Sequence, residues 1–251
     1  MNSLPIMTIR LLDLQLPRKQ YAEINFIGAA KDLLRKYPEQ THAFGADLEL
    51  FHNQTIRYSS IQLDRYQGVP EWTAYGSEAI ETLWCWLDLY KKENPTALKN
   101  SVVIQEHYTP EFLTTPKNYR IQPILLSDSV AQSLKRNKED QKRLKNYVYG
   151  NLRTFLNHFA YTYDKEQNFL DVVIQKASSY NRPLPVFHQH KKTAFDIYFS
   201  CNFRLPQTLR LGQSTALGYG KVTHLKPLKK IEKKVGSDKE NNLKNRKFME
   251  T

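Results

Sequence analysis

The stretch Leu209-Arg210-Leu211-Gly212-Gln213-Ser214-Thr215-Ala216-Leu217-Gly218-Tyr219-Gly220-Lys221-Val222 links a strongly alternating strand to a second short apolar run. Three glycines in nine residues allow positive φ angles and close approach of the backbone to a ligand. Gln213, Ser214 and Thr215 add small donors, and the amides of such a loop can form a concavity suited to phosphate. Arg210 and Lys221 flank it with positive charge. It is not a P-loop, because no Gly-Lys-Ser/Thr closes it and no helix-starting pattern follows. Two readings stand side by side: a cradle for a phosphate backbone and a glycine-rich hairpin loop. On the cradle reading Arg210, Gly212, Gln213, Ser214, Gly218, Tyr219, Gly220 and Lys221 face the ligand. Tyr219 is the aromatic placed to touch it or to pack under the loop.

The strand before the loop is the clearest in the chain. Over 194–204, Phe195, Ile197, Phe199, Cys201 and Phe203 alternate with Asp196, Tyr198, Ser200 and Asn202. Upstream, strands are expected at 119–126, 168–176 and 183–190. One helix or a bent pair is expected over 128–161, with Leu144, Val148, Leu152, Phe155 and Leu156 as its buried stripe. A short strand at 220–225 closes this half, in which no second helix is evident. The first half has an expected strand at 4–17, a helix at 21–37 ended by Pro38, and strands at 46–52 and 56–66 around an Asn53-Gln54 turn. Gly68-Val69-Pro70 breaks that run. A helix at 76–91 and a strand at 101–108 follow. Strand, helix, strand, strand, helix, strand is the ferredoxin-like order. The fold class is therefore α+β: two tandem ferredoxin-like (RRM-like) domains with antiparallel sheets and a C-terminal glycine-rich loop. The expected divisions are 1–110, 111–225 with Pro110 and Pro116 marking the linker, and a basic tail at 226–251.

The chain carries 37 basic and 25 acidic residues, a net charge of +12. Such a field attracts polyanions. No apolar run reaches spanning length, so nucleic acid is favoured over membrane as the partner, and a cytoplasmic location is expected. Cys85 and Cys201 each lie in an apolar run and read as two small buried residues rather than a disulfide or metal site. The long helical region presents Lys135, Arg136, Lys138, Lys142, Arg143, Lys145 and Arg153 on its polar faces, either as a solvated face or as a second RNA contact. His188-Gln189-His190 could put two imidazoles on one strand face, but no third metal ligand is visible. Surface histidines beside Lys191 and Lys192, in a hairpin that touches RNA, are the preferred account. The tail has nine basic and four acidic residues and few large apolar ones, the composition of a flexible, nonspecific phosphate-seeking segment.

The two halves and the Gly-x(5)-Gly-Tyr-Gly-Lys-Val loop after a Phe-rich strand resemble the RAMP superfamily of CRISPR-associated RNA-binding proteins. Within it the chain is similar to the repeat-processing endoribonucleases, the "Cas six" family, in its subtype I-B-like branch. Leu50-Phe51-His52-Asn53-Gln54 with Arg57-Tyr58-Ser59-Ser60-Ile61-Gln62 resembles that branch's Leu-x-His-Asn-His and Arg-Tyr-Pro-Leu-Ile-Gln segments. Tyr149-Gly150-Asn151-Leu152 and Asn202-Phe203-Arg204-Leu205-Pro206 match two further segments. Gln54 stands where the family has a second histidine, and Ser59 where it has proline.

The resemblance implies a metal-independent endoribonuclease without cofactors that cuts precursor CRISPR transcripts at the repeat. The RNA's own 2′-hydroxyl attacks, leaving a 2′,3′-cyclic phosphate and a 5′-hydroxyl. This needs a base, an acid and positive charge beside the phosphorane. His52, His42, Tyr58, Arg57 and Lys31 are the candidates for these roles. His42 is placed to substitute for the histidine lost at Gln54. For His52 a surface turn histidine is the plain alternative. A second overall reading is a non-catalytic subunit holding repeat-derived RNA alongside the other subunits of a CRISPR effector complex.

Overall fold

The computed structural model describes residues 3–17, 22–51, 58–96, 99–126, 128–136, 140–159, 169–179, 194–212, 215 and 219–225. Its first half runs β1 (Leu4–Leu11), α1 (Ala22–Lys36), α2 (Pro38–Ala43), a 3₁₀ turn (Leu48–Leu50), β2 (Ile61–Tyr66), β3 (Val69–Tyr75), α3 (Ser77–Glu93) and β4 (Ser101–Tyr108). The second runs β5 (Phe112–Leu125), α4 (Asp128–Arg136), α5 (Gln141–His158), β6 (Val172–Ser179), β7 (Ala194–Phe203) and β8 (Lys221–His224). Each half builds a four-stranded antiparallel sheet, in the orders β2-β3-β1-β4 and β6-β7-β5-β8. The two orders are the same arrangement used twice, the tandem ferredoxin-like architecture expected from the sequence.

Alternation sets which face each strand buries. In β1, Met7, Ile9 and Leu11 join Ile27, Ala30 and Leu34 of α1 and Leu83, Trp86 and Leu87 of α3 in one core. Trp72 sits at its centre, with Phe51 edge-on at 5.5 Å and Trp86 at 5.4 Å. In β7, Phe195, Ile197, Phe199, Cys201 and Phe203 pack against Leu144, Val148, Leu152, Phe155 and Leu156 of α5, the predicted stripe. Asp140 starts α5 by accepting from the Arg143 backbone N–H at 3.3 Å. Cys85 and Cys201 are both buried free thiols, and burial pushes Cys201 up to about 12.

Four local expectations are corrected. Residues 46–51 hold no strand: Asp47 accepts from the Glu49 backbone N–H at 2.8 Å and winds the chain into a 3₁₀ turn, a side-chain bond that competes with extended structure. Of the strand expected over 56–66, residues 58–60 are not extended ladder and β2 begins at Ile61. The supposed break at Gly68-Val69-Pro70 is a two-residue hairpin. Gln67 and Gly68 both take positive φ, 52° and 93°, the twist that suits tight hairpins. It launches β3, which the sequence reading missed because Pro70 argued against a strand; Pro70 is tolerated near the strand's start. Finally, Pro116 lies inside β5, at the register shift between Phe112 and Lys117, so the chain crosses between sheets over Thr109-Pro110-Glu111 alone. The 183–190 strand, the Asn53-Gln54 turn, His188, His190 and the tail lie outside the described residues.

The two halves share a seam. Leu4, Ile6, Tyr58, Tyr75 and Tyr108 of the first half belong to the second half's hydrophobic cluster. The Tyr75 hydroxyl donates to the Thr208 carbonyl at 2.6 Å, and that of Tyr108 donates to the Arg204 carbonyl. Thus the segment leaving β7 lies against the first half's sheet rather than out in solvent. Among the described residues, no helix is long and apolar enough to cross a membrane.

Candidate nucleic-acid interface

The glycine-rich segment is bent by its own packing needs. Leu211 N–H donates to the Gly220 carbonyl at 2.9 Å, and Gly220 N–H to the Pro123 carbonyl at 2.6 Å. At φ +73° a Cβ on Gly220 would overlap the Leu211 carbonyl oxygen. At Gly212, φ +100°, it would press on the Ile124 side chain at 2.8 Å. These glycines admit the protein's own chain, which corrects the expectation that their freedom serves close approach of a ligand.

Arg210 is corrected with them. It is 3% exposed, and its guanidinium pairs with Asp64 on β2. Lys221 Nζ reaches the same carboxylate at 2.6 Å, while the lysine side chain stays 44% exposed. Burial alone would raise the Asp64 pKa, but the Arg210 and Lys221 charges hold it below the ordinary aspartate value. Tyr219 and Thr215 are buried as well, so Tyr219 is turned into the protein. Gln213, Ser214 and Gly218 lie outside the described residues, as do Lys191 and Lys192.

Of the residues proposed for chemistry, His52 and Arg57 also lie outside the described residues. The structure fixes what borders them. Phe51 is fully buried in the first core, and Tyr58 is buried in the seam, its ring 5.5 Å from Phe155 and 5.8 Å from Phe159. Burial, then Tyr75, pushes the Tyr58 phenol well above its ordinary pKa, so Tyr58 stays protonated and turned into the protein. The candidate role of Tyr58 at the phosphate thus falls on a buried side chain. His42 is exposed on α2, and Lys31 lies half-buried on α1. Thr41 ties α2 back to α1 through a 2.7 Å bond to the Leu34 carbonyl. Lys145 pairs with Asp171 at 3.3 Å, and Arg153 is exposed on α5.

One residue emerges that sequence reasoning left without a role. His158, at the C-terminus of α5, places Nε2 2.8 Å from the Ser60 hydroxyl. It packs on Tyr58 at 5.7 Å. Burial lowers its pKa against the opposing pull of Glu78. The second half therefore pins the stretch that leads from Tyr58 into β2. No local pattern announces it, because the partners are 98 residues apart. Among the described residues, no three His, Cys, Asp or Glu side chains gather as a metal site.

No protein-family model matches the sequence, and no characterised protein sequence matches it. Solved structures do. The crystal structure of a Cas6b superposes with a TM-score of 0.62 at 18% identity, over 89% of this chain and 100% of that one. A CRISPR RNA processing endoribonuclease Cas6b gives 0.57 at 17%, with the same coverage. Csf5, a CRISPR-Cas type IV Cas6 crRNA endonuclease, gives 0.54 at 12%, again over 89% and 100%. At these identities the likeness is one of fold.

Proposed function

We propose that this protein binds CRISPR repeat RNA and cleaves precursor transcripts into guide RNAs. The observation that carries the reading is the tandem ferredoxin-like fold, shared over 89% of the chain with the Cas6b structures. The +12 charge agrees with a polyanionic substrate, and the sequence match around His52 supplies the chemistry.

In that chemistry a base takes the proton of the 2′-hydroxyl beside the scissile phosphate. The 2′-oxygen forms a bond to phosphorus, the P–O5′ bond breaks, and an acid returns a proton to the departing 5′-oxygen. The products are a 2′,3′-cyclic phosphate and a 5′-hydroxyl, with no outside reactant. Histidine suits either proton role near neutral pH. His52 and His42 take these roles, with Arg57 and Lys31 offsetting the phosphorane charge. Gln54, in place of the family's second histidine, favours a second reading: an RNA-holding subunit that does not cut.

Incubation with repeat RNA in EDTA separates the two. A cyclic-phosphate product, abolished by 2′-deoxy substitution before the cut, is expected. Tight binding without any cut would replace the nuclease with the holding subunit.

A further inference from the structure

The second half's sheet has two faces. One packs on α5; the other carries the alternate residues of β5, β6 and β7 and is turned away from that core. On it, Asp196, Tyr198, Ser200 and Asn202 of β7 are half-buried, flanked by Asn118 and Arg120 of β5 and Val173 of β6. Val173, on the edge strand β6, is 49% exposed.

A bulge decides what stands beside Tyr198. The β6–β7 register runs Val173 to Ser200 and Ile174 to Phe199, then slips, so that Lys176 rather than Gln175 faces Tyr198. An inserted residue re-aims the side chains beyond it. Across the other ladder Tyr198 pairs with Arg120, and Arg120 with Thr223. Directly paired residues stand about 5 Å apart. The sheet therefore bears one transverse row, Lys176–Tyr198–Arg120–Thr223, with an aromatic between two cations. The Arg120 guanidinium carbon is 5.2 Å from the Tyr198 centroid, and Asp196 steadies it at 2.6 Å. Lys176 is exposed and makes no ion pair among the described residues. The neighbouring row, Val173–Ser200–Asn118, is apolar, hydroxyl and amide.

We propose that this half-buried face, which the Gln175 amide crosses to donate to Asn118 Oδ1 at 2.6 Å, is a platform for single-stranded RNA: a base stacks at Tyr198, and the adjoining phosphates lie against Lys176 and Arg120. The charge pattern and the aromatic select the occupant. A sheet face with a partly exposed ring offers stacking to unpaired bases, whose faces are available, and nothing comparable to a duplex, whose bases are already stacked. The platform rests on the RNA-binding reading and adds a contact outside the residues proposed for cleavage.

The test uses the full chain, a fluorescein-labelled uridine-rich single-stranded RNA, and a duplex RNA of equal length, read by anisotropy. Tyr198→Ala should weaken the single strand about tenfold, with Tyr198→Phe close to wild type, because stacking needs the ring and not the hydroxyl. Lys176→Ala should lower the slope of log affinity against log salt by about one, as expected for a lost phosphate contact. Duplex affinity should stay unchanged for all three. Unchanged single-strand affinity in Tyr198→Ala, or equal loss in the Phe and Ala variants, overturns the platform. Should Tyr198→Ala unfold, photocrosslinking of 4-thiouridine RNA to the wild type decides: crosslinks to peptides of β5, β6 or β7 support it, and crosslinks confined elsewhere overturn it. Binding is read apart from cleavage. A protein that never cuts repeat RNA yet binds through Tyr198 sinks the nuclease alone; one that cuts while Tyr198→Ala binds normally sinks the platform alone.

Discussion

Arg210 and Asp64, from opposite halves of the chain, form an ion pair in which the arginine side chain is 4% exposed and the aspartate 18%. A charge so buried is tolerable only with its partner. Asp64→Ala should cost about 3 kcal/mol, since removing one member of a buried pair strands the other. Asp64→Leu combined with Arg210→Met should cost much less, and urea denaturation compares the two. The folded Asp64 pKa is depressed, so its contribution is present above the unfolded value of about 4 and fades as pH falls through the folded one. The gap between wild type and Asp64→Asn should therefore shrink on acidification. A single variant no less stable than the double would contradict the pairing.

Gly220→Ala should fail to fold or melt far below wild type, because its Cβ would occupy the space of the Leu211 carbonyl at a φ that disfavours side chains. Circular dichroism decides this without any RNA. A folded Gly220→Ala protein with only a binding defect would restore the ligand-cradle reading.

His158 gives a pH signature of its own. Its folded pKa is lowered by burial, so the unfolded chain takes up the proton first. Stability is full above the unfolded value of about 6.5 and declines as pH drops below it. His158→Asn should flatten that decline between neutral and mildly acidic pH. An identical slope in the variant would show that other groups carry it.

For cleavage, His52→Ala should keep RNA affinity and lose about 10²–10⁴-fold in rate, the usual scale of general acid–base catalysis. Gln54→His should raise the rate if the lost histidine limits it. If His42 has taken that role, Gln54→His should change little and His42→Ala should be the damaging substitution. Single-turnover kinetics on repeat RNA distinguish the cases.

RNA affinity should fall steeply with salt, through counterion release from a +12 chain. Removing 226–251, with its net +5, should weaken all RNAs alike. Loss confined to one sequence would mean that the segment reads bases.

The legible parts of the fold were those with a period. The β7 alternation and the α5 stripe lie where the residues said, because each strand or helix buries one face. β3 was hidden by a proline and a glycine that, in place, form the start of a strand and a two-residue hairpin. The glycine-rich segment was recognised as special, with a cradle and a plain loop left side by side. A glycine's need for room is visible in sequence; whether a ligand or Leu211 fills that room is not. Arg210 looked like a surface cation because Asp64 is 146 residues away, and His158 looked idle because Ser60 is 98 residues away.

Synthesis order gives the shared seam a temporal consequence. Leu4 and Ile6, made before any residue of the second half, pack in a cluster that also holds Val222. β8 cannot pair with β5 until residues 221–224 have emerged. Until then the first sheet can close over its own helices while its other face, with Tyr75 and Asp64, waits uncovered. An exposed apolar surface on a nascent domain is a target for aggregation and for chaperones. The interval ends only when the segment from Arg204 to Lys221 folds back, so the same contacts that join the finished halves also set the moment at which the nascent protein becomes safe.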